Sequence, residues 1–98
     1  MGGYEVRAAL LTAVMYFPCA FSLKDRRQML QRIKATLSKR FGASVAQVGD
    51  KDKWQTAELS IAIACESEGA AREKAAAVKR LLENGDEYEL ASLDAEYV

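Results

Sequence analysis

Thr56-Ala57-Glu58-Leu59-Ser60-Ile61-Ala62-Ile63-Ala64-Cys65 alternates along its length, with Leu59, Ile61, Ile63 and Cys65 on one side and Glu58, Ser60, Ala62 and Ala64 on the other. A period of two sustained this long predicts a strand with one buried face. Just upstream, Gly49-Asp50-Lys51-Asp52-Lys53-Trp54-Gln55 has the make-up of a hairpin loop, and Ser44 to Val48 reads as the strand it joins. The middle of the chain is therefore a β-hairpin, and helical periodicity flanks it on both sides. On the upstream side Ser22 can cap a helix, with Asp25 three residues on in the capping-box position. Leu23, Leu30, Ile33, Leu37 and Phe41 then share one face at about 100° per residue, and Gly42 supplies the stop. Downstream, Ser67 to Glu83 reads as a second helix with Ala71, Ala75, Val78 and Leu82 on its apolar face and Asn84-Gly85 after it. The outermost pieces are strands, Tyr4 to Phe17, closed by Pro18, and Tyr88 to Leu93.

The resulting order, β-α-β-β-α-β, predicts the α+β class and a ferredoxin-like sandwich: a four-stranded antiparallel sheet with both helices on one face. At 98 residues, 1–98 is expected to be a single domain. Half the residues are hydrophobic and 14 Lys/Arg balance 14 Asp/Glu, an ordinary globular composition. The balance is local in neither half. Residues 1–41 hold eight Lys/Arg against Glu5 and Asp25, a net of +6, and residues 42–98 hold six against twelve, a net of −6, which predicts two surfaces of opposite sign. The longest apolar stretch, Ala8 to Phe17, is too short to span a bilayer and has no signal-peptide flanks, so the expected location is the cytoplasm, without a membrane partner. Cys19 and Cys65 form no disulfide framework and read as small hydrophobes.

The chain has no His, which removes Ser-His-Asp and Cys-His catalytic pairs and imidazole metal ligands, and two distant Cys make no structural zinc site alone. No glycine-rich phosphate loop is present, and the sequence points to no cofactor, no metal and no enzymatic role. RNA-recognition motifs share this element order and stack bases on aromatic residues of their central strands. Glu58 to Ile63 contains no aromatic residue, so any RNA must use another surface.

The first helix is that surface. It carries Lys24, Arg26, Arg27, Arg32, Lys34, Lys39 and Arg40 against the single Asp25. Lys24, Gln28, Arg32, Ala35 and Lys39 recur at three or four residues as an outward stripe able to track phosphates, and with Arg27 beside it the candidate nucleic-acid-binding residues are Lys24, Arg27, Arg32 and Lys39. Arg26 differs, because it falls within the apolar arc of Leu30, Ile33 and Leu37. Its head must reach water past the sheet edge or meet a carboxylate, for which Asp50, Asp52 or Glu58 could serve. The acidic pair Asp50 and Asp52 lacks the oxygen spacing of a calcium loop. Trp54, the only tryptophan, either folds over the core edge or anchors a partner, so Arg26, Asp50, Asp52 and Trp54 form a second, interaction-type candidate group.

Ser22-Leu23-Lys24-Asp25-Arg26-Arg27, then Arg40 to Asp50, Asp52, and Trp54-Gln55-Thr56-Ala57-Glu58-Leu59 together resemble the YlxP-like bacterial family of unknown function across nearly the whole chain. Its signature is a Ser-Leu-Lys-x-Lys/Arg-Arg helix start, a Val-Ala-Glu-Val-Gly strand and an Asp-x-Trp-Gln loop. Here Gln47 stands in place of the usual Glu, and Gly42-Ala43 in place of Asn-Val. The resemblance implies a ferredoxin-like fold and genes close to those of translation initiation and ribosome maturation, with no established activity. Residues and resemblance lead to one expectation, a noncatalytic binding protein associating with RNA or the ribosome through its basic first helix. The alternative is a protein-interaction or self-association module, a homo-oligomer using the flat sheet face of Ser60, Ala62 and Ala64 and the Trp54 loop.

Overall fold

Two serines open the helices in the same way. Ser22 and Ser67 have extended backbone, and each hydroxyl accepts the N–H three residues on, from Asp25 and Ala70, both at 3.1 Å. The computed structural model describes residues 5–49 and 55–98, and in these the elements are β1 (Ala8–Tyr16), α1 (Leu23–Phe41), β2 (Ser44–Val48), β3 (Thr56–Ala64), α2 (Glu68–Glu83) and β4 (Glu89–Tyr97). At its far end α1 stops at Gly42, whose φ of 64° is left-handed and whose N–H closes on Ser38 at 2.9 Å, a conformation that costs a glycine least.

The sheet order is β2-β3-β1-β4, with every neighbouring pair antiparallel, which is the ferredoxin-like arrangement expected. Register places Ala9, Leu11, Ala13 and Met15 of β1 opposite Ile63, Ile61, Leu59 and Ala57 of β3, and all eight are buried. Leu30 and Leu37 of α1 and Ala71, Ala75, Val78 and Leu82 of α2 complete this core, so both helices cover the same sheet face. A buried Leu or Ile contributes about 1.5–3 kcal/mol, so this row supplies most of the drive to fold. The other face, with Leu10, Thr12, Val14 and Tyr16 of β1 and Glu58, Ser60 and Ala62 of β3, is covered by neither helix.

Three local expectations are corrected. β4 does not end at Leu93 but runs to Tyr97, because Leu93, Ala95 and Tyr97 keep facing the helices opposite Ala13, Leu11 and Ala9. The Arg72 guanidinium lies 4.4 Å from the Tyr97 ring centroid and ties α2 to that extension. Ile33 is only partly buried, since α1 and α2 are not packed closely together and leave a groove at its side. Cys19, expected to behave as a small hydrophobe, is exposed in the turn after β1, whereas Cys65 is partly buried and packs against the core.

Candidate nucleic-acid interface

The strands Ala8–Tyr16, Ser44–Val48, Thr56–Ala64 and Glu89–Tyr97 contain no lysine or arginine, and their charges are Glu58, Glu89, Asp94 and Glu96. These acids sit on or beside the uncovered face: Glu58 is opposite Val14, and Glu89, Asp94 and Glu96 are opposite Tyr16, Thr12 and Leu10. Seven of the fourteen cations are on α1 with the single acid Asp25, whereas α2 is mixed, with Arg72, Lys74, Lys79 and Arg80 beside Glu68, Glu73 and Glu83, so the sharpest contrast of charge is between the sheet face and the first helix.

On α1 the candidate residues do not all face the same way. Lys24, Arg27 and Lys39 are exposed, and Lys24 to Lys39 spans about 22 Å at 1.5 Å per residue. Arg32 is also exposed, but its Nη2 donates to both carboxylate oxygens of Glu87, in the connection between α2 and β4, at 2.7 and 2.6 Å. A half-exposed pair of this kind is worth roughly 0–1 kcal/mol, yet it neutralises one of the three cations expected in the stripe. Asp25, the one acid of the helix, is engaged at the helix start, its Oδ2 accepting the Phe21 N–H at 3.1 Å.

Arg26 is 1% exposed, in the core arc, and its Nη1 donates to the Thr56 carbonyl at 3.0 Å. It has a further interaction besides this one. Glu58, one of its three expected partners, is on the opposite face of β3 and so does not meet it. Asp50, Asp52 and Trp54, the rest of that group, lie outside the described residues.

Phe21 was missed by reading the sequence for aromatic residues within the basic stripe. It precedes the cap, where an apolar side chain ordinarily staples onto the fourth helical residue. That residue is Arg26, which is turned into the core, and the Phe21 ring is left 86% exposed with its backbone fixed by Asp25. The signal available in the sequence was the pairing of Phe21 with a charged residue at the staple position.

A groove of about 680 Å³ separates α1 from the C-terminal half of α2. Met29, Ile33, Leu81 and Tyr88 give it apolar walls, and Arg32, Arg40 and Arg80 give it cationic ones. Burial raises the Tyr88 phenol above the ordinary tyrosine pKa. Its ring lies 5.7 Å from that of Phe17 and packs over Gly85 so closely that a Cβ there would collide with it. Among the described residues no group of three or more Cys, Asp or Glu is placed to hold a metal ion, and no helix is long and apolar enough to cross a membrane.

Fold and surface together define a small ferredoxin-like α+β protein with an anionic sheet and a cationic first helix. The chain belongs to the DUF503 family, whose members are described as proteins of unknown function, and the match covers residues 8–95. No curated protein matches it.

Proposed function

We propose that this is a noncatalytic, cytoplasmic binding protein that docks on RNA, and in the cell on the ribosome, through the exposed side of α1. The observation that carries the reading is the segregation of charge: no strand holds a cation, whereas Lys24, Arg27 and Lys39 stand exposed on one helix. A polyanion is repelled by the sheet and attracted by the helix. Phe21, at the start of the same helix, offers a face on which an unpaired base can stack. The YlxP-like resemblance, with its genes close to those of translation, favours the ribosome as the setting.

The test is a salt titration of binding to purified ribosomes and to structured RNA, with and without nuclease. Replacing Lys24, Arg27 and Lys39 together with Gln is expected to remove about 2 to 3 units from the slope of log affinity against log salt. Unchanged binding by the triple variant, or salt-insensitive binding by the parent, rules the reading out.

A second reading, self-association through the uncovered sheet face, is favoured by Leu10 and Tyr16, which are 38% and 37% exposed there. Leu10 stands opposite the small Ala62, and Tyr16 lies further along the same face, opposite Thr56.

A further inference from the structure

The groove between α1 and α2 lies outside the exposed stripe of Lys24, Arg27 and Lys39. Short side chains from both helices, Thr36 and Ala77, are among those that line it, and the Thr36 hydroxyl is turned back onto the Arg32 carbonyl at 2.9 Å. Its volume of about 680 Å³ is that of a small-molecule site. Ile33, Leu81 and Tyr88 present apolar surface to it, and guanidiniums reach it from both helices, Arg32 and Arg40 from one and Arg80 from the other. Asp86 and Glu87 line it too, so its three guanidiniums outnumber its carboxylates by one, and a slot that is part apolar with a surplus of cations selects a molecule with an apolar body and an anionic end.

Glu87 shows where that end would go. Its two oxygens share a single nitrogen of Arg32, Nη2, instead of the two-nitrogen fork in which guanidinium holds a carboxylate or phosphate best. Among the described residues nothing else is hydrogen-bonded to this guanidinium, so the stronger geometry is open to another anion. We propose that the groove binds a small amphiphilic anion, an apolar body carrying a carboxylate, sulfonate or phosphate, and that Glu87 is an internal competitor for its anion position. The inference is independent of RNA binding, since it uses neither Lys24, Arg27 nor Lys39.

The experiment is a fluorescence titration of the full chain with 1-anilinonaphthalene-8-sulfonate, an apolar body with one anionic group. Decanoate and decanol serve as competitors, and a denaturation curve accompanies each variant because the dye also lights up on partly folded chains. Saturable one-to-one binding is expected, displaced by decanoate and not by decanol. Ala77→Trp, which fills the groove, should abolish it, and Arg80→Gln should weaken it by about 3- to 10-fold. Glu87→Gln should tighten it by a similar factor, about 3- to 10-fold, because the competitor is removed while its shape is kept. Non-saturable binding, indifference to Ala77→Trp in a cooperatively folded variant, or weakening by Glu87→Gln overturns the proposal. Displacement by decanol as effective as by decanoate overturns its anionic part.

Discussion

Nη1 of Arg26 donates to the carbonyl of Thr56 at 3.0 Å, joining the first turn of α1 to the first residue of β3 across an interval of 30 positions. The helix start is thus fastened to the sheet by a buried cation where an apolar residue would ordinarily lie. Arg26→Ala leaves a cavity and an unpaired carbonyl, and is expected to lower the free energy of unfolding by about 2–5 kcal/mol. Arg26→Met, which restores volume but no donor, should cost less. Urea denaturation of both variants checks the order, and equal losses would show that the volume contributes little beyond the donor.

At the other end of the helix pair, Tyr88 packs on Gly85. Gly85→Ala forces the ring aside and should destabilise by about 1–3 kcal/mol, in the range of other overpacked sites. Because burial raises the phenol's pKa above 10.0, the folded form holds its proton more tightly than the unfolded one. The associated stability is present below pH 10 and is lost as the pH climbs above it. Denaturation followed from pH 8 to 11 should therefore show a shallower alkaline decline in Tyr88→Phe than in the parent.

The ion pair of Arg32 with Glu87 separates this arginine from its neighbours on α1. Lys24→Gln and Lys39→Gln should each remove about one unit from the salt slope of RNA binding, whereas Arg32→Gln should remove much less. Equal effects from all three would mean that the pair opens in the complex.

Phe21→Ala removes an exposed ring and no charge. Affinity for single-stranded RNA should fall by about 1–3 kcal/mol, the value of one stacked base, with the salt slope unchanged. A fall confined to duplex RNA, or no fall at all, would count against stacking.

On the uncovered sheet face, Ala62 stands opposite Leu10. If two copies associate there, Ala62→Glu should convert a concentration-dependent dimer into a monomer in sedimentation, with folding intact. A parent that stays monomeric at high concentration removes this second reading.

The fold was legible because its signals were redundant. Both caps, the alternation of Leu59, Ile61 and Ile63, and the Gly42 stop each have a local physical cause that acts before tertiary structure forms. The last four residues of β4 were missed because Asp94 and Glu96 look like a strand end, although Leu93, Ala95 and Tyr97 alternate with them. An edge strand tolerates such charges on its open face. The site was less legible for the same reason that helix wheels mislead. A wheel gives the direction of a Cα–Cβ bond and says nothing of a partner such as Glu87, 55 positions from Arg32.

The separation of cations on α1 from acids on the strands, in a chain of net charge zero, gives the molecule a dipole and almost no monopole. Little long-range attraction draws it to a polyanion, but within about one Debye length, ~8 Å at physiological salt, the field turns it helix-first. It would then settle with a fixed polarity, leaving Glu89, Asp94 and Glu96 pointing away from the nucleic acid. The bound protein would present an acidic outer surface, so that a second copy arriving by the same route is repelled rather than stacked.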